Sequence, residues 1–335
     1  MDWGVAKNLI DPAILYFFLG VFIGAVKSNL EIPAPVAKFL SLYLLVALGF
    51  KGGQALGDAG LSGDAAKALL IAVIMALLIP AWSFALLRRK VNPYDSAAIA
   101  ATYGSVSAVT FIAASNYVAS RGEPAGGYMT VALVVMESPA IIMAVLLATW
   151  VRSRDPELAT VGADGAPSER APMSVGAVLH EAFTDGAHLL LIGSLVIGFV
   201  SGDSGGTAMK VFTTDIFKGL LAFFLLEMGL LVARQLREVS DVGPFLIGFA
   251  ILMPLFNASV AMLVGNLLGL GAGDLTLLAV LAASGSYIVV PAVIRFAIPE
   301  ARPSRYFTMA LAITFPFNII VGIPLYSSVA RWLVG

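Results

Sequence analysis

Residues 101–116 read ATYGSVSAVTFIAASN. The stretch carries no charge, yet Gly104, Ser105 and Ser107 interrupt it where a membrane helix would be deepest. A second break follows about 180 positions later, in AASGSYIVVPAVIRFA at 282–297. Unwound backbone at membrane depth is tolerated only where it is buried in protein or lines a cavity. Two such breaks therefore predict a polytopic membrane protein built around an internal site.

The composition agrees. Of 335 residues, 59% are hydrophobic and 12% are charged, about half the charge of a soluble domain. Net charge is −1, which gives nucleic acid no electrostatic reason to bind. The chain has no cysteine, so thiol catalysis, disulfides and zinc–thiolate sites are excluded. The start lacks a basic region followed by a cleavage site and reads as a retained first span.

Hydropathy predicts an all-α chain of ten transmembrane helices, near 12–26, 33–53, 65–87, 95–119, 128–151, 186–201, 210–233, 243–268, 274–297 and 306–333. A first five-helix repeat covers 1–151. Residues 152–173, rich in Pro, Ala and charge, read as a disordered cytoplasmic linker. An amphipathic helix at 174–185 and a second five-helix repeat complete 174–335. Thirteen Lys and Arg fall on the linker's side and seven on the other. That bias places both termini outside, in a bacterial inner (plasma) membrane.

The halves match in order. LGVFIGAV (19–26) pairs with GSLVIGFV (193–200), ALGFKGGQAL (47–56) with EMGLLVARQL (227–236), GSVSAVTF (104–111) with GSYIVVPA (285–292), and MESPAII (136–142) with TFPFNII (314–320). Five spans per unit make the second copy enter from the opposite side. Inverted repeats with matching broken helices, here spans 4 and 9 crossing near the midplane, point to a secondary transporter and its binding site.

The breaks expose amides and positive helix ends that attract an anion. Gly104, Ser105, Ser107, Thr110, Ser284, Gly285, Ser286 and Tyr287 form the expected anion site. Ser105 or Ser107 can cap the new helix of span 4, and Pro291 suits the first turn of the new helix of span 9. The two glycines are expected to leave the space the anion fills. Freed carbonyls and hydroxyls are hard ligands for Na⁺, with Glu137, Ser107, Ser286 and Thr314 as the expected set. An intramembrane carboxylate costs about 2.5–3.5 kcal/mol on insertion scales, so such a residue is usually kept for a pathway or partner. Glu137 would serve the cation directly or through a water. Glu227 reads as a structural or gate residue, and Asn257 and Asn318 as interhelical hydrogen-bonding groups. His180 and His188, with Glu181 and Asp185, read as a solvated face in preference to a metal site. No P-loop, HExxH or nucleophile elbow occurs, so the chain is not expected to be an enzyme or to hold a cofactor beyond the coupling ion.

GSVSAVT in span 4, MESPAI in span 5, AASGSYIVVP in span 9 and IPEARPSRYFTMALAITFPFNIIVGIPLY at the end resemble the sodium-dependent bicarbonate transporter family. The resemblance implies a gate domain (spans 1, 2, 6, 7), a core domain (spans 3–5, 8–10) and a homotrimer. It also implies Na⁺-coupled symport of bicarbonate bound between the breaks. In cyanobacterial members a small PII-like protein binds from the cytoplasm and shuts transport. Those members read GxVSGST and SSSDISGPP where this chain has Ala108 and Val109, and Tyr287, Val289, Val290 and Ala292; Glu137 stands for a shorter Asp. These departures describe a divergent, non-cyanobacterial-like member with a less polar site. Two alternatives are a Na⁺- or H⁺-coupled carrier of a small organic carboxylate and a membrane sensor that binds without translocating.

Overall fold

The computed structural model describes residues 11–60, 63–123, 125–154, 180, 184, 186–287, 290, 294 and 297–335. Most of the expected amphipathic helix, most of the linker and Pro291 lie outside them. Among the described residues the chain is helical, with no strand. The helices are α1 (Pro12–Ala25), α2 (Ala34–Ala59), α3 (Gly63–Leu87), α4 (Pro93–Gly104), α5 (Ala108–Ser120), α6 (Tyr128–Arg154), α7 (Gly186–Lys210), α8 (Phe217–Gln235), α9 (Pro244–Leu267) and α10 (Ala272–Ala283). A last run, α11 (Pro303–Val334), closes the chain. Among the described residues, eight segments are long and apolar enough to cross a membrane, one of them α4 and α5 taken together, while α1 and α10 are shorter apolar helices.

Local chemistry sets the helix starts. Asp11 and Asn92 cap α1 and α4 by accepting the N–H of Ala13 and Tyr94, each with proline in the first turn. α11 contains two π-helical stretches, Met309–Thr314 and Asn318–Gly322. Each ends two residues before a proline, Pro316 or Pro324. Proline donates no N–H and crowds the carbonyl four residues back, so the ladder widens just ahead of it.

Two helix pairs pack by close backbone approach. A Cβ on Gly53 would overlap the Leu195 carbonyl and one on Gly198 the Phe50 carbonyl, which fixes α2 against α7. Gly20 and Gly229 fix α1 against α8 in the same way. In lipid, such small-residue contact replaces the hydrophobic drive that water would supply.

α4 and α10 sit at the centre. Every residue from Tyr94 to Gly104 and from Gly273 to Ala283 is buried. A helix apolar all round must be enclosed by others, and the alanines of AAIAATYG and LLAVLAA let neighbours close on every side.

Polar clasps tie the ends of these central helices to α6 and α11. At one end, Asp95 accepts the Arg302 N–H (2.7 Å) and pairs with Arg305 (2.9 Å). There Arg152 grips Glu300 with two bonds (2.9 and 2.8 Å) and donates to the Ala297 carbonyl (2.8 Å). At the other end, Asp274 accepts the Gly126 N–H (2.7 Å) and the Tyr128 hydroxyl (2.5 Å), and Glu123 lies 3.5 Å from Arg331. The grip on Arg152 corrects one boundary. α6 continues through Arg154, beyond the expected end at 151, because that side chain is anchored instead of solvated.

Candidate functional site at two crossing breaks

α4 stops at Gly104 and α5 starts at Ala108. Between them the chain is extended, with Ser105 at φ −91°, ψ 180° and Ser107 at φ −102°, ψ 108°. α10 stops at Ala283; Ser284–Ser286 are non-helical, and Val290, Ile294 and Ala297 are helical again. The breaks touch. The Ser286 N–H donates to the Thr102 carbonyl (2.9 Å), and the Ser107 N–H donates to the Ser284 hydroxyl (3.0 Å).

Ser107 caps α5. Its hydroxyl oxygen accepts from the Thr110 N–H (3.1 Å) and the Thr110 hydroxyl (2.9 Å), which leaves its own O–H to donate. Ser286 is placed similarly, accepting the Val290 N–H (3.2 Å).

A helix start leaves four N–H groups without intrahelical partners. At α5 the Ser107 N–H goes to Ser284 and the Thr110 N–H to Ser107. Those of Ala108 and Val109 take no hydrogen bond among the described residues. Both residues line a small cavity of about 50 Å³ that lies against the breaks. Ser107, Ser286, Tyr287 and Glu137 line it too. Its opposite wall is Ser41, Leu44 and Leu45 of α2, Ala187 and Leu191 of α7, and Phe224 of α8. Glu137 is buried. The cavity thus joins open amides and hydroxyl donors, which suit an anion, to a carboxylate, which suits a cation.

The other expected residues stand behind this wall. Thr110 holds Ser107, Ser284 holds the Ser107 N–H, and neither lines the cavity. Ser105 is fully buried, and its hydroxyl has no partner among the described residues. Thr314 is committed elsewhere, donating to the Ala250 carbonyl (2.7 Å) and bonding Tyr103 (2.6 Å). The Tyr287 ring stacks edge-on against Phe315, and its hydroxyl lies near Ser107 without closing a hydrogen bond.

The glycines differ from expectation. A Cβ on Gly104 would overlap the Pro80 ring of α3, so that glycine serves helix packing and leaves no space for a ligand. A Cβ on Gly285 would meet Ala310 at 3.5 Å and the Thr102 carbonyl at 3.6 Å, ordinary contacts.

Asn257 accepts from Trp82 (3.1 Å), joining α9 to α3. Asn318 donates to the Ala283 carbonyl (2.9 Å) and accepts from Tyr326 (3.1 Å). It thereby satisfies a carbonyl that the break would otherwise offer to a cation. Glu227 is buried on α8, while Arg234 pairs with Glu31 (3.0 Å).

Sequence reading expected amides at the start of the second half of span 4 without naming Ala108 and Val109, which counting four N–H groups on from the Ser107 cap finds. It missed Asp95 and Asp274, the first-turn acids of α4 and α10, which lie about 180 positions apart like the halves themselves.

Two buried breaks in contact, beside a cavity lined by serine hydroxyls and a buried carboxylate, sit inside a helical chain of membrane-spanning length. The chain matches the Na⁺-dependent bicarbonate transporter superfamily over residues 12–331, nearly its full length, and belongs to that family. Among curated proteins, none is significantly similar to it.

Proposed function

We propose that the protein is a Na⁺-coupled symporter of bicarbonate or a similarly small anion, working by alternating access between two inverted five-helix repeats. The observation that carries this reading is the pair of open amides, Ala108 and Val109, sharing one cavity with Glu137. The amides and the Ser107 and Ser286 hydroxyls hold the anion. Glu137 with the same hydroxyls holds Na⁺ beside it, so each ion lowers the cost of seating the other. Uptake of labelled bicarbonate into proteoliposomes, with and without a Na⁺ gradient, tests the reading; uptake indifferent to Na⁺ would overturn it.

The clasps support inverted repeats. Asp95 ties span 4 to the start of span 10, and Asp274 ties span 9 to the start of span 5. Arg152–Glu300 and Arg331–Glu123 join spans 5 to 9 and 10 to 4 in the same exchanged fashion. Each interaction recurs about 180 residues away at the opposite end, as a two-fold axis in the membrane plane requires. The pairing of α2 with α7 and α1 with α8 supports a gate of spans 1, 2, 6 and 7 moving against a core of the rest. α7 has only 17% of its apolar window buried, which leaves its apolar surface for lipid or for a second copy.

Two measurements check this directly. Glu137→Gln is expected to raise the Na⁺ concentration for half-maximal uptake by about tenfold or more, since a lost charged contact is worth about 1.5–3 kcal/mol. An unchanged Na⁺ dependence would assign Glu137 to structure. For topology, Lys90→Cys and Asp58→Cys are expected to label from opposite sides of the membrane, with Lys90 cytoplasmic. Both positions are exposed, and the chain has no cysteine to interfere. Labelling from the same side would remove the inverted topology.

A further inference from the structure

A second, larger cavity of about 550 Å³ opens beside the first. The same four helices line both, one or two turns apart. On α2, Leu44 and Leu45 face the inner cavity, and Leu48 and Lys51 the outer one; on α8, Phe224 and Lys218 divide likewise. On α6, Glu137 and Leu133 line the inner space, and Thr130 and Met129 the outer. Ile112 lines both and is buried. The two spaces are therefore stacked along the helix axes with Ile112 between them.

Among the residues in the wall of the outer space, cations outnumber acids two to one. Lys51 and Lys218 stand in its wall, and Lys51 is held over the Phe217 ring, 5.2 Å from its centroid. The acid in the wall, Glu123, is engaged by Arg331 (3.5 Å) and Ser327. Asp215 lies within electrostatic reach of Lys51 but outside the wall. Ser115 presents a buried hydroxyl with no partner among the described residues. A cleft of one sign with low-dielectric walls concentrates counter-ions.

We propose that this outer space is an antechamber that gathers small inorganic anions on Lys51 and Lys218, and that Ile112 separates it from the inner site. The proposal deepens the carrier reading and rests on it for the identity of the inner site. Fixed positive charge compensates for an inner site whose walls are largely aliphatic. It raises the local anion concentration where the helix ends meet solvent, and Ile112 keeps the two spaces apart.

The test needs neither transport nor a defined orientation. Asn116→Cys, in the antechamber wall, is reacted in detergent at low ionic strength with anionic sulfonatoethyl and cationic trimethylammonioethyl methanethiosulfonate. Each rate is divided by that reagent's rate with free mercaptoethanol. Ala119→Cys, exposed at the rim, serves as the second position. The normalised ratio is expected to favour the anion by about fivefold and to fall to about one in Lys51→Gln/Lys218→Gln and in high salt. A ratio near one in the parent, or a preference that survives loss of both lysines, overturns the antechamber. A chain that proves to carry another small anion still passes, so failure here and failure of the bicarbonate reading are separable.

Discussion

Gly104→Leu is expected to yield no stable, monodisperse protein, while Gly285→Ala folds and transports. The two glycines occupy matching places in the two breaks, so a rule based on ligand space would predict equal harm. Their surroundings separate them. The Cβ of any residue at 104 overlaps Pro80, a ring fixed within α3 and unable to rotate aside. Overpacking a filled core by even a few carbons costs about 1–3 kcal/mol, from a total stability of about 5–15 kcal/mol. Leucine adds four carbons at a buried crossing of α3 and α4. Even Gly104→Ala should lower the melting temperature by about 5 °C. At Gly285 the same methyl finds neighbours at 3.5 Å and beyond, and its φ lies outside the left-handed region. Size-exclusion profiles and thermal unfolding in detergent read the difference. Equal thermal stability of Gly104→Ala and Gly285→Ala would mean that α3 does not press on the first break.

That contrast shows what the sequence could and could not carry. The positions of the breaks were legible because their signals are local. Serine at 107 has a hydroxyl that can accept from the N–H three residues on, and that preference belongs to the residue itself. The apolar runs were legible because the bilayer imposes length and composition on them. What lies opposite a residue was not. Thr314 reads as a cation ligand from its place near the repeat, but its hydroxyl is taken by Ala250 and Tyr103, which come from two other helices. Asn318 reads as a helix-bridging group, and only the fold shows that the carbonyl it bridges to is Ala283, at the end of a broken helix. The clasps were hidden for the same reason. Asp95 and Asp274 look like ordinary first-turn acids until their partners, about 150 to 210 residues away, are in place.

Ala108→Pro is expected to weaken anion binding by about tenfold or more while leaving α5 and the breaks intact. A backbone donor is normally beyond the reach of mutation, but this one occupies the first position of a helix. Proline is favoured there because its fixed φ suits the turn and the N–H it lacks has no intrahelical partner. The residue before a proline must be extended, and Ser107 already is, at φ −102° and ψ 108°. The substitution therefore deletes one open amide of the cavity and little else of the backbone. A hydrogen bond to a charged group contributes about 1.5–3 kcal/mol, roughly ten- to 150-fold in affinity. Ala108→Val is the control, adding comparable bulk beside the cavity while keeping the N–H. The expected result is a large rise in the anion concentration for half-maximal uptake in the proline variant, a small one in the valine variant, and a Na⁺ dependence in the proline variant that moves less than in Glu137→Gln. Equal losses in proline and valine variants would mean that bulk alone matters at 108. The anion would then be held elsewhere in the cavity, by the hydroxyls of Ser107 and Ser286 without the helix start.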